Sequence, residues 1–175
     1  MKRMLRFGFW VIALCLLSGA AVAQYSQDQR RACDAVLTPA SRAKVIADCT
    51  AFLKTPKLPP VIAGPAYLAR GNAYALQEAD FSKALADFNS DATIQPRDPK
   101  PLNAAGIVLL KQHKLLDAFA AFDAARLIDG RDPTALYGRG LSRLAMGQGG
   151  QKDMDMAMGY DKGVAAFFRK NDLYP

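Results

Sequence analysis

The 175-residue chain has one histidine, His113, and three cysteines, Cys15, Cys33 and Cys49, no two of them in a Cys-x-x-Cys pair. A zinc site draws on four such ligands, so two or three isolated thiols and one distant imidazole argue against one. The same scarcity leaves no nucleophile paired with a base, and no catalytic residue is assigned. No segment alternates apolar and polar residues in the manner of a strand. With no strand there is no glycine-rich loop following one, so phosphate-loop and dinucleotide motifs are absent and no cofactor is expected. Lysines and arginines are scattered and not clustered among aromatics, which gives no nucleic-acid signature. After residue 23 no apolar run is long enough to span a membrane.

What is present begins with the first residues. A positive start (MKRMLR) leads into the apolar run Phe7 to Leu17 and then Ser18-Gly-Ala-Ala-Val-Ala23. Charge, short apolar core and small-x-small ending are the layout of a cleavable secretory signal over 1–23, with cleavage after Ala23. Removal takes Lys2, Arg3 and Arg6 and no acidic residue, so the formal charge falls from +7 to +4. The expected location is periplasmic or secreted. In that oxidising setting Cys33 and Cys49, sixteen positions apart, are expected to form a structural disulfide.

From about Pro65 onward, apolar residues recur at three- and four-residue spacing, with proline or glycine between the runs, which predicts helix after helix. The pattern also repeats. Gly71 in LARGNAY, Gly106 in NAAGIVL and Gly140 in YGRGLSR lie 35 and 34 residues apart. The clearest copy is 99–132, with Leu102, Ala105-Gly106 and Leu109 in its first helix and Ala118, Phe122 and Ala125 in its second. Small residues at the eighth and twentieth positions let two helices approach, and large ones at the fourth, eleventh and twenty-fourth fill the space around them.

On these residues the chain resembles the tetratricopeptide repeat family, a 34-residue helix-turn-helix unit. The resemblance implies an all-α solenoid with repeats at 64–98, 99–132 and 133–160, a C-terminal capping helix, and a degenerate first repeat in 24–60 ending in a proline-rich connector. On that ruler Cys33 takes the eighth position and Cys49 the twenty-fourth, so a bridge would join facing sides of the first helix pair. The family binds proteins or peptides on the concave face of its first helices. Its groove positions correspond here to Pro65, Leu68, Asn72 and Ala75, then Lys100, Asn103, Ile107 and Leu110, then Thr134, Tyr137, Leu141 and Leu144. Leu68, Asn72, Lys100, Asn103, Ile107 and Tyr137 are the candidate groove residues. Leu141 and Leu144 either join them or pack under the C-terminal helix.

The reading is thus a non-enzymatic interaction module for another protein or peptide. Two features lie outside it. His113 falls in a turn and reads as solvated. The methionines Met146, Met154, Met156 and Met158 offer the soft sulfurs that copper(I) prefers, but Met154 and Met158 share a helix face that Met156 does not, so core filling is the simpler role.

Overall fold

A computed structural model describes Cys33 and residues 37–173; the expected signal over 1–23 and the start of the expected first repeat lie outside the described residues. Among the described residues the fold is all-α, with eight helices and no strand. They are α1 Arg42–Leu53, α2 Pro60–Tyr74, α3 Phe81–Ile94, α4 Lys100–Lys111, α5 Leu115–Ile128, α6 Pro133–Ala145, α7 Gln151–Tyr160 and α8 Val164–Lys170. A single 3-10 turn, Glu78–Asp80, precedes α3.

Local chemistry sets many of these boundaries. Helices α2 and α6 start with proline at or near the first helical position, where the missing N–H costs no bond. Asp132 caps α6 by accepting hydrogen bonds from the Thr134 and Ala135 amides at 2.8 and 3.1 Å. At the end of α4 the chain turns through His113 in the left-handed region, and the amides of His113 and Lys114 bond back to Leu110 and Leu109. The end of α6 repeats this arrangement with Gly147 in the equivalent place, its amide and that of Gln148 bonding to Leu144 and Arg143. His113 is accordingly an exposed turn residue.

Each helix packs on the next in the chain. The pairs run antiparallel: Gly64 faces Asp91 and Gln95, while Gly71, two turns on, faces Asp87 and Phe88. Burial follows the same order, in three successive clusters. The first holds Cys33, Val45, Cys49 and Phe52 with Ala66 and Ala73 of α2. The second gathers Phe81, Ala84, Phe88 and Val108. The third joins Phe122, Leu136, Tyr137 and Leu141 to Met154 and Phe168. Burying a phenylalanine of this size contributes about 2–3 kcal/mol, so Phe52, Phe88, Phe122 and Phe168 are the main apolar anchors.

The closest approaches recur at equivalent places. A Cβ on Gly71 would lie 2.5 Å from the Phe88 ring, one on Gly106 would lie 2.7 Å from the Phe122 ring, and one on Gly140 would lie 2.8 Å from Met154 Cγ. Cys33 and Cys49 occupy the corresponding pair at the N-terminal end and are joined by a disulfide, with Cα atoms 4.8 Å apart. Their sulfurs are fully enclosed.

Two stability measurements follow. Closing a sixteen-residue separation is worth about 3 kcal/mol in the chain-entropy picture, so replacing both cysteines by alanine should lower the urea-unfolding free energy by about that amount. Phe122 is wedged between Gly106 and Gly138, and a Cβ on Gly138 would lie 2.4 Å from its ring. Because the ring has no exposed side to retreat into, Gly138→Ala should cost about 1–3 kcal/mol in the same assay. Wild-type stability in that variant would show the wedge to be loose.

Candidate partner-binding face

Helices α2 and α4 present one side to a pair of adjoining clefts. The first, of about 300 Å³, is lined by Cys33, Leu37, Val45, Pro65, Leu68, Ala69 and Asn72. The second, of about 200 Å³, runs from Leu37 and Asn72 past Ala75, Leu76, Ala104 and Ile107 to Lys111, Phe167 and Asn171. Leu37 and Asn72 belong to both, which makes the two clefts continuous. One end is closed by Cys33, Leu37 and Val45 and the other by Phe167 and Asn171.

The floor is apolar: Leu68, Ala75 and Ala104 lie half-buried against the Phe81, Phe88 and Val108 cluster, and Ile107 lies against the cluster that holds Phe122. Polar groups are few. Asn72 is exposed at the junction, and Lys111 is the one charged residue among those lining either cleft. Asn171 donates from Nδ2 to the Phe167 carbonyl at 2.8 Å, which fixes the far wall. Such a surface suits an apolar side chain or helix face whose backbone or terminus meets an amide and one cation.

The structure divides the six candidate groove residues. Leu68, Asn72 and Ile107 line the clefts. Lys100 is exposed at the start of α4 and lines neither. Tyr137 is 2% exposed, its ring centroid 4.9 Å from that of Phe168, so α8 covers the place where a partner would meet it. Asn103 is also buried, and its Nδ2 donates to Asp132 Oδ2 at 2.7 Å, bracing the cap of α6. These two are therefore corrected to internal roles: a ring packed under a capping helix and an amide spent on a cap are not open to a ligand. Leu141 joins the core under α8, while Leu144 stays partly exposed.

Leu37, Lys111, Phe167 and Asn171 were not anticipated as lining residues. The signal for the last two was faint: with Val164 and Phe168 turned inward, Phe167 and Asn171 fall one turn apart on another face. Among the methionines, Met154 is buried against Gly140, Met158 packs at the edge of the same cluster, and Met156 points outward. Among the described residues no three His, Cys, Asp or Glu side chains gather as metal ligands. No protein-family model matches this sequence, and no curated protein is significantly similar to it.

Behind the clefts, electrostatics tie the helices. Arg70 of α2 grips Asp87 of α3 with two bonds of 2.8 and 2.7 Å and reaches Thr50 of α1 at 3.1 Å. The bonds to Asp87 raise the Arg70 pKa above its ordinary value. Asp91 is placed less comfortably. It is wholly enclosed opposite Gly64; Oδ1 accepts from Gln95 Nε2 at 2.7 Å, but Oδ2 has no partner among the described residues. Burial pushes this carboxyl above the usual range, and nearby Asp98 adds to the effect against the opposing pull of Gln95 and Lys100.

A carboxyl whose folded pKa is raised contributes its stability below the unfolded value and loses it as pH climbs through the folded one. Asp91→Asn keeps the Gln95 acceptor and removes the charge. It should therefore unfold at higher urea than wild type at pH 7.5, with the gap narrowing as pH falls toward 4. A variant equally or less stable at pH 7.5 would show that the ionised carboxylate is tolerated there.

Proposed function

We propose that the chain is a tetratricopeptide-type α-solenoid of the cell envelope, without catalytic activity of its own, that holds a peptide segment or helix of another protein in the cleft along α2 and α4. The observation that carries this reading is the continuous apolar cleft from Leu68 through Asn72 to Ile107, walled at both ends and carrying one cation. A concave, mainly apolar lining with a few polar groups is the form that binding sites usually take. The 34–35-residue spacing of Gly71, Gly106 and Gly140 supports the repeat class. Export is supported by the layout of residues 1–23 and by the enclosed Cys33–Cys49 bridge, a bond at home in an oxidising compartment. Partner identity resides in the cleft and not in the repeat scaffold.

A photo-activated cross-linking residue at position 72, introduced in the native envelope, should trap a defined partner identified by mass spectrometry. Ile107→Asp places a charge on the apolar floor and should weaken capture at least about tenfold, the effect of about 1.4 kcal/mol. Ile107 is only partly buried and lies at the cleft, so the fold should survive the change. Undiminished capture by a folded Ile107→Asp protein would rule out the cleft as the binding surface.

A further inference from the structure

Three prolines set the head of α2 apart from the rest of that helix: Pro59 caps it, Pro60 opens it and Pro65 stands inside it. A proline within a helix gives no amide to the carbonyl four residues back, here that of Val61, so the bonding is interrupted between the first turn and the remainder. The turn is held at its start by the Pro59 carbonyl, which accepts from the amides of Ile62 and Ala63 at 2.9 and 3.0 Å. Its side chains anchor it unevenly: Ile62 packs at the edge of the first cluster, while Val61 is 69% exposed.

Opposite this turn lies Asp91. A Cβ on Gly64 would lie 2.6 Å from its Oδ1 and closer still to the Gln95 amide, so these two polar groups fill the space a side chain would take. The carboxyl is 0% exposed, and its Oδ2 is unpaired among the described residues. A neutral acid is tolerated in such a place, but an ionised one with an unpaired oxygen is costly. The charged groups acting on it pull in opposite directions: Asp98, in the turn after α3, opposes ionisation, and Lys100, at the start of α4, favours it. Helix α2 offers no compensation, since its one charged residue, Arg70, is committed to Asp87 and Thr50. An ionised Asp91 is relieved by water reaching Oδ2. Of the two walls around it, α3 is anchored by buried Phe88 and by α4 packed on it, whereas the first turn of α2 has proline at both ends.

We propose that the head of α2, residues 60–64, is a pH-released hinge, docked while Asp91 carries its proton and detaching about Pro65 as Asp91 ionises. The direction agrees with the burial of the group, which makes the docked form stable at low pH and weaker as pH rises. Because Pro65 lines the cleft, the same movement loosens one of its walls. The hinge is independent of what occupies the cleft.

Hydrogen exchange read by mass spectrometry from pH 5 to 9, on oxidised protein with the Cys33–Cys49 bond intact, provides the test. After correction for intrinsic rates, wild-type protection at Ile62, Ala63 and Gly64 should fall by about tenfold for each pH unit above the point at which Asp91 ionises. Amides of α4 and α5 should keep their protection over the same range. Asp91→Asn retains the acceptor for Gln95 and cannot ionise, so it should hold 60–64 docked throughout. Wild type and variant losing protection in parallel would overturn the proposal. So would an equal loss in α4 and α5, the mark of global unfolding, or wild-type protection at 60–64 that stays constant across the range.

Discussion

Every helix pair in this chain depends on one contact, between a small residue on the first helix and a large group on the second. Gly71 meets Phe88, Gly106 meets Phe122 and Gly140 meets Met154, each so close that no side chain fits on the glycine. At the N-terminal end the same place is filled by Cys33 and Cys49, whose covalent bond replaces the wedge. The difference has a physical reason. An inner pair is held from both sides, as Phe122 is held between Gly106 and Gly138, whereas α1 packs mainly on α2, with Arg42 also reaching Asp80. An end pair with one neighbour buries less apolar surface, and a cross-link supplies the constraint that packing does not.

Beside that contact lies a second one that the chain uses selectively. The residue before the close-packed glycine is Arg70, Ala105 or Arg139, and the residue before the facing large group is Asp87, Ala121 or Asp153. Arginine and aspartate occur together or are absent together. Where present they form two-bond pairs, and each arginine also reaches back to the preceding helix, Arg70 to Thr50 and Arg139 to Asp123. Largely buried ion pairs of this kind add little net stability, but a lone buried charge is costly. Replacing both partners with alanine in the middle pair avoids that cost. The arginines thus tie their own pair to the helix before it, while buried Phe88, Phe122 and Met154 add the apolar contact.

Much of this was legible in the sequence because it depends on periodicity. Helical spacing and the 34–35-residue recurrence located the glycines and the residues opposite them, and the same ruler placed the cysteines in the equivalent pair. The face open to a partner was less legible. Tyr137 and Asn103 sit at positions where a repeat would expose them, yet both are consumed within the chain. Tyr137 is covered because the seven-residue α8 folds back over it, a long-range event with no periodic signature in so short a segment. Asn103 is drawn to Asp132, twenty-nine residues away, a pairing that spacing alone does not announce.

The same two terminal devices that complete the fold also determine how much of it can bind. The disulfide to Cys49 places Cys33, with Leu37, at one end of the cleft, and the C-terminal segment places Phe167 and Asn171 at the other. Between them only α2 and α4 remain open, since the corresponding face of α6 is sealed by Phe168 on Tyr137 and Leu141. Under the proposed function, a partner would then insert a short segment and not lie along the whole stack.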